Sequence, residues 1–477
     1  MQSRYDAVVI GSGPNGLSAA ITLARAGHSV IVYEAQSTIG GGARSAELTL
    51  PGFLHDTCSA VHPLAIDSPF FRTLPLHEHG LEWIHPPAAL AHPFDHEPAA
   101  LLRLSLEATA AGLGDDRDAY LGLFEPLVGH WPEIQQDALG PLRWPRHPLV
   151  LAHFGVRALW PAAHLAEVVF RNQRAKALFG GVCAHSVLPL QWPASSAVGL
   201  VLTIAAHAQG WPIPKGGSRA ISQALASYLK SLGGEIVAST PVETMAQLPP
   251  SRVVLFDLTP RQILKIAGSR LTASYRAKLE GFHYGPGVFK LDWALNGPIP
   301  WQDPACTAAA TVHLGDLLPE ITRSEMACWE SSPVASPFII LVQPSLFDST
   351  RAPEGRHTAW AYCHVPNGST ADHTEVIERQ VERFAPGFRD LILARSKLDP
   401  RALEQGNANL VGGDIGGGAN LLSQLFFRPT ASQYATSDPR LFICSSSTPP
   451  GGGVHGLCGY FAAVKALAFL DRSQGRK

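Results

Sequence analysis

The chain has 477 residues, room for two or three compact units of about 100–200 residues and for a buried cofactor. Lysine and arginine number 37 and aspartate and glutamate 39, a net charge of −2, which removes the electrostatic basis for a nucleic-acid-binding surface. Only 16% of residues are charged and 46% are apolar, against roughly 25% charged in an average soluble domain, so an unusual share of the surface is either buried or greasy.

Tyr5 to Ile10 (YDAVVI) is a short apolar run typical of a strand buried on both faces. Gly11-Ser12-Gly13-Pro14-Asn15-Gly16 follows at once, then a small-residue helix from Leu17 to Ala26, and a second strand, Ser29 to Tyr33, closed by Glu34. This strand–turn–helix–strand context gives the GxGxxG spacing its meaning. Gly11 permits the tight turn, Gly13 admits a pyrophosphate close to the backbone, and Gly16 lets helix and strand pack together. The free amides at the helix start that follows carry the positive end that favours phosphate. Glu34 lies 18 residues beyond Gly16, where an acid holds both ribose hydroxyls and disfavours a 2′-phosphate. The ligand is then FAD or NAD. A second glycine cluster, Gly40-Gly41-Gly42-Ala43-Arg44, offers another backbone approach to a pyrophosphate with Arg44 as its charge partner. That addition favours FAD.

Beyond it, His55, Asp56, Cys58 and His62 cluster in a turn-rich stretch and invite a general-base reading. Their spacing is no recognised zinc pattern, so no metal is expected. Leu149 to Ala162 is apolar with few charges; core packing is the plainer expectation and contact with a membrane surface the alternative. The apolar stretch 197–206 is about half the roughly 20 residues of a spanning helix. With no signal-like N-terminus and seven cysteines lacking any CxxC pair, a reducing, cytoplasmic setting is expected.

Further on, a helix is predicted over Arg219 to Leu232, strands over Gly233 to Val237, Ser251 to Leu258 and Leu441 to Ser445, and a closing helix from about Tyr460 to Leu470. Gly451 to Gly456 repeats GxGxxG formally, but too little chain follows for a second βαβ unit. The helix start there could instead stabilise negative charge on a flavin ring. The fold class expected is α/β: a Rossmann-type FAD-binding domain from residues 1–75, 208–280 and 405–477, interleaved with a mixed α+β substrate domain from 76–207 and 281–404.

The segments GSGPNG, IGGGARS, GWPIPKGGSRAI, GPGVFKLDWALNGPIPW, GGDIGGG and STPPGGGVHGLCGY together resemble the phytoene desaturase-related FAD-dependent oxidoreductases, on the branch of pyridine nucleotide-disulfide oxidoreductase domain-containing protein 2. These share their fold with monoamine oxidases and Rab GDP-dissociation inhibitors. The resemblance implies FAD bound by Gly11, Gly13, Pro14, Asn15, Gly16, Glu34, Gly41, Gly42, Ala43, Arg44, Val242, Gly453, Gly456, Leu457 and Cys458. It matches Lys290 to the amine-oxidase strand whose lysine holds a water beside flavin N5. The residues do not support the disulfide chemistry of the branch name, since a dithiol is missing.

Lys290 and His455 are the candidate catalytic residues. A surface lysine on an edge strand, or one paired with Asp292, is the competing reading of Lys290. Cys458, at a helix start, could have a lowered thiol pKa and so admit covalent flavin attachment, although packing is the simpler role. The expected activity is hydride removal from an apolar organic substrate with electrons passed to oxygen or a quinone. Amine, polyene, retinoid-like lipid and amino-acid derivatives all fit. The rival readings are flavin-assisted double-bond isomerisation and a non-catalytic regulatory protein on the same fold.

Overall fold

Two sheets organise the chain, and the computed structural model describes residues 4–474. The first is wholly parallel, in the spatial order Leu441–Ile443, Ser251–Phe256, Tyr5–Ile10 (β1), Val30–Tyr33 (β2) and Glu235–Val237. Both faces are covered, as a parallel sheet requires. Ala7, Val9, Val30 and Val32 pack against one set of helices, while Tyr5, Val8, Ile10, Ile31 and Tyr33 pack against the helix Pro260–Ala267 and its neighbours. The alternation of one strand's side chains between two cores explains why β1 and β2 read as unbroken apolar runs.

The helix α1 (Pro14–Arg25) connects β1 to β2, with proline at the start where its missing N–H costs nothing. It is flanked by Arg219–Ser231, whose Ile221, Ala224, Leu225 and Leu229 form a buried stripe, and by the C-terminal helix Leu457–Gln474. That last helix starts three residues earlier than expected, because Leu457 and Cys458 are buried in its first turn.

The second sheet has seven strands, in the order Ile392–Leu398, Gly287–Leu295, His357–Val365, Ile339–Val342, Ala309–Leu314, Ala88–His92 and Ala100–Leu102. All pairings are antiparallel except Ala309–Leu314 with Ala88–His92. Phe289, Leu291, Trp293 and Leu295 point into one core. The opposite face of the sheet turns toward the nucleotide half of the molecule.

Helices between residues 106 and 209 cap this assembly. The apolar stretch 197–206 lies in Ser196–Gln209, a buried central helix. Leu149 to Ala162 packs on one side only: Phe154, Ala158 and Ala162 lie in the helical core, with Val150 and Leu151 against it. In Pro148–Ala158 only Phe154 and Ala158 are buried, and Leu149, Val156, Leu159 and Trp160 face outward. Composition alone could not distinguish the two, since burial depends on what covers a helix. Among the described residues no single helix is long and apolar enough to cross a membrane.

α1 and the C-terminal helix meet at Gly459, where an added Cβ would lie 1.8 Å from the carbonyl oxygen of Asn15. Gly459→Ala should therefore force the helices apart and lower stability by about 1–3 kcal/mol. Chemical denaturation of the two proteins side by side measures this, and an unchanged midpoint would contradict the close contact.

Candidate functional site

The turn after β1 brings three parts of the chain within touching distance. Gly11 donates its amide to Tyr33 O (2.8 Å) and Asp257 its amide to Ile10 O (2.8 Å), fixing the strand ends side by side. A Cβ on Gly16 would lie 2.1 Å from Gly11 O, and one on Gly13 would lie 2.6 Å from Asp257 Oδ2. Neither position has room for a side chain, the property expected of a backbone that must approach a phosphate closely. Asn15 Oδ1 is buried with no hydrogen-bond partner among the described residues. Glu34 is buried at the end of β2, its Oε2 accepting from Ser12 N (3.1 Å) and Ser12 Oγ (2.6 Å). Its backbone oxygen accepts from Thr240, and Val242 lies half-buried on the Tyr33 side of the sheet. These residues fit an adenine dinucleotide: small turn, free helix start and an acid at the second strand.

Asp257 was not singled out by the sequence, where it reads only as the end of a strand. Its Oδ2 accepts from Gly16 N (3.0 Å), so a carboxylate already addresses the positive start of α1. Burial raises its pKa to about 7, with Glu34 adding to the rise and the Gly16 and Gly13 amides opposing it.

The second glycine loop lies against the first. A Cβ on Gly41 would lie 3.1 Å from Gly13 Cα, and Gly40 N donates to Ser12 O (3.1 Å). Arg44 donates from Nε to Gly41 O and from Nη2 to Gly406 O, both 2.8 Å. It thus braces the loop as well as bringing charge to it. Ala43 is buried, its carbonyl accepting from Ser222 Oγ (3.0 Å). Gly42 lies beside Cys58: an added Cβ would be 3.8 Å from Cys58 Sγ.

Residues 54–62 then cross from that loop to the second sheet. In the sheet, Gly287–Leu295 is buried at every position and runs between two neighbours, so Lys290 is neither exposed nor on an edge. Lys290 lies across from Tyr362, and Asp292 across from Trp360. All four share one sheet face. Lys290 Nζ donates to Asp292 Oδ1 (2.5 Å) and lies 4.9 Å from the centre of the Trp360 ring. The Trp360 and Tyr362 rings stack, 5.8 Å apart, beside Ala60, Val61 and Val342.

His55 Nδ1 lies 3.5 Å from Asp292 Oδ1 while its Nε2 shares a hydrogen bond with Thr49 Oγ1 (2.8 Å). Burial and the Lys290 charge drive the ring's pKa down to about 3, so it is neutral. Burial lifts Asp292 to about 6 against the pull of Lys290. His55 Nδ1 and Asp292 Oδ2 are both buried and without hydrogen-bond partners among the described residues. Burial likewise raises the Cys58 thiol, although Lys290 and Arg44 pull the other way.

Asp56 plays a different part. Its Oδ2 accepts from Arg351 Nη1 (2.9 Å) and its Oδ1 from Ser45 Oγ (2.6 Å) and Ser218 N (2.7 Å). Arg351 Nε also donates to Asp348 Oδ2 (2.8 Å). Burial alone would raise the Asp56 pKa, but Arg351 and the Ser45 and Ser218 donors outweigh it and hold it low. His62 pairs with Ser218 Oγ (2.8 Å), and burial lowers its pKa to about 4. These groups tie the halves of the molecule together. Sequence offered no sign of Arg351, because its partner Asp56 is 295 residues away in the chain, nor of Asp348, whose role follows from Arg351.

The C-terminal glycine loop completes the site. His455 Nδ1 accepts from Leu457 N (3.1 Å), so the neutral ring carries its proton on Nε2. Burial pushes its pKa to about 4, opposed by the carbonyls of Gly451 and Gly452, and Nε2 has no hydrogen-bond partner among the described residues. The ring lies against Gly453, where a Cβ would come 3.0 Å from His455 Cδ2, and a Cβ on Gly456 would meet Ser18 Oγ at 2.3 Å. Cys458 is fully buried. Burial raises its thiol to about 11 despite the Gly451, Thr448 and Arg428 neighbours, so the helix start does not make it acidic. Asp414 accepts from the amides of Gly285, Gly416 and Gly418 and is a turn-holding group.

Residues 9–74 match the family model of an NAD(P)-binding Rossmann-like domain. The chain is 27% identical to rat (Rattus norvegicus) pyridine nucleotide-disulfide oxidoreductase domain-containing protein 2, over 97% of this chain and 93% of that protein. It is 30% identical to hydroxyneurosporene desaturase of Rhodobacter capsulatus, over 41% of this chain and 44% of the desaturase. Its fold is similar to that of cyclohexylamine oxidase from Brevibacterium oxydans, with a TM-score of 0.60 and 14% identity over 98% of this chain and 99% of the oxidase. Its homologues thus include that domain-containing protein and carotenoid desaturases, and its architecture is of the amine-oxidase type. The expected resemblance and fold class both stand.

Removing Arg351 would leave Asp56 and Asp348 buried without their cation. Arg351→Met should cost about 3–5 kcal/mol of stability, read as a lower denaturation midpoint, whereas an exposed salt bridge would shift it by less than about 1 kcal/mol.

Proposed function

We propose that this protein is an FAD-dependent oxidoreductase that removes a hydride equivalent from an apolar organic substrate and passes the electrons to oxygen or a quinone. The reading rests above all on Lys290, an ammonium held by Asp292 on a wholly buried strand, whose charge reaches Cys58 beside the second glycine loop. Gly11, Gly13, Pro14, Asn15, Gly16 and Glu34 would hold the adenosine and pyrophosphate, Gly41, Gly42, Ala43 and Arg44 the second approach, and Gly453, Gly456, Leu457 and Cys458 the far end, with Val242 beside the adenosine. FAD, when bound, supplies the two-electron acceptor for the substrate's hydride.

The chain's own contribution is a prepared, water-poor surface. Lys290 brings fixed positive charge, and Asp292 and the Trp360 ring hold it in position. Asp292 Oδ2 and the His55 Nδ1 edge offer buried polar atoms that can orient a water or a substrate proton. Trp360, Tyr362, Val61 and Val342 make the adjoining surface apolar and aromatic, suited to an apolar substrate. His455, its Nε2 without a close hydrogen-bond partner among the described residues, can donate one hydrogen bond from the opposite loop. Neutral at physiological pH, it is a donor rather than a cation.

Lys290→Met should retain FAD and slow one of the two half-reactions by about tenfold or more. Stopped-flow absorbance resolves them, and unchanged rates in both would remove the assignment of Lys290. An anaerobic substrate screen that follows bleaching of the flavin band tests the activity itself: conversion without bleaching would indicate isomerisation, and a protein unable to take up FAD would end the reading.

Asp257 adds a pH dependence. Its folded-state pKa of about 7 lies above its ordinary 3.8, so the native protein keeps a proton that the unfolded chain releases. Stability from this group is therefore full below about pH 4 and falls as pH rises toward 7. A pyrophosphate nearby favours the protonated form as well. FAD affinity should fall by about tenfold between pH 6 and 8.5 in the native protein and much less in Asp257→Asn, measured by fluorescence titration.

A further inference from the structure

Thirteen large apolar side chains are exposed among the described residues, and seven of them lie between residues 142 and 168. Leu142 is 58% exposed, Trp144 88%, Leu149 84%, Val156 60% and Val168 61%. Leu149, Ala152, Val156 and Leu159 follow each other at helical spacing along the outer side of Pro148–Ala158, so this helix is apolar on the side a surface helix normally makes polar. The next helix, Ala162–Val169, is bent away from it by 98°, and Trp160 stands at the corner. Such a concentration exceeds the scattered apolar exposure of ordinary surfaces.

Within residues 142–168 the charged side chains are Arg143, Arg146, Arg157 and Glu167, and Glu167 is paired with Lys176. The Asp137 side chain, just before them, is buried and accepts from the amides of Arg146 and His147, so the balance of charge on the patch is positive. A two-fold contact with a second copy would set these arginines against their own equivalents. An anionic phosphate surface would instead be complementary to them. Exposed tryptophans beside arginines and aliphatic side chains match the layering of headgroup and acyl regions at a bilayer surface. The inner sides of both helices are fixed in the protein core by Phe154, Ala158, Ala162, Leu165 and Ala166, so only the outer face is available, and the pair cannot thread through a bilayer.

We propose that residues 142–168 form a monotopic docking surface for an anionic lipid bilayer, with the outer face of Pro148–Ala158 set among the acyl chains and Arg143, Arg146 and Arg157 on the headgroup phosphates. The inference does not depend on the redox reading. The protein should float with vesicles of phosphatidylcholine containing about one-third phosphatidylglycerol, and markedly less with phosphatidylcholine alone or at high salt. Leu149→Glu with Val156→Glu, both at solvent-facing positions, should leave the far-UV circular dichroism and unfolding midpoint unchanged and reduce flotation by about tenfold or more. Arg143→Gln with Arg146→Gln should abolish the preference for the anionic vesicles. Wild-type protein remaining at the bottom of the gradient, or the folded double-glutamate variant floating equally well, would overturn the proposal. So would a dimer in sedimentation that the double-glutamate variant dissociates while neither protein binds vesicles, since the patch would then serve a second copy.

Discussion

An ammonium group inside a fully buried strand is the constraint from which the centre of this molecule follows. A lone charge at Lys290 would carry a desolvation cost of several kcal/mol, so the strand supplies Asp292 two residues later on the same face. That carboxylate in turn stands beside His55, and the next residue, Asp56, is matched by Arg351. Two buried charge groups thus lie side by side, joined by the neutral His55, and the second ends at Asp348 and the backbone amide of Gly216. The junction between the two sheets is therefore electrostatic at its centre and apolar around it. Residues that hold the halves together and residues that face the candidate reaction space are consecutive in sequence.

What the sequence made legible was what is encoded locally. The GxGxxG turn, its flanking strands and Glu34 lie within 30 residues of one another, and each has a steric or electrostatic reason to be where it is. Lys290 and Asp292 were legible as a pair because alternation along a strand puts positions two apart on one face. Arg351 and Asp257 were not, since nothing near them in the chain announces a partner hundreds of residues away, and Asp348 gains its meaning only through Arg351. Cys458 shows a different limit: a helix start predicts an acidic thiol, yet full enclosure raises it, and enclosure is a property of the finished fold. The segment from Leu149 to Ala162 was only half legible for the same reason: its composition suits a core and an oily surface equally, and it supplies both.

The same sheet face that carries Lys290 continues into a line of histidines. His364 is bonded to Glu325 (2.8 Å), His185 Nε2 lies 3.0 Å from His313 Nε2, and His92 shares a hydrogen bond with Asp316 O (2.7 Å). Burial lowers His185 to about 3, His92 to about 4 and His313 well below its ordinary value, so these three rings furnish hydrogen-bonding capacity without net charge. The face thus changes from charged beside the glycine loops, through aromatic at Trp360 and Tyr362, to polar and neutral beneath the helical cap. A ligand spanning it would meet three distinct environments on one rigid support.

The parallel sheet also has a consequence for how the protein is made. β1 and its glycine turn leave the ribosome about 430 residues ahead of the strand beside Ser251–Phe256 and of the helix that covers α1, which come from residues 441–474. Until those residues emerge, one side of α1 has no neighbour and Gly459 cannot close on Asn15. The nucleotide-binding turn is thus synthesised long before it can be sealed, and the nascent protein must shield an apolar helix while the intervening residues are made.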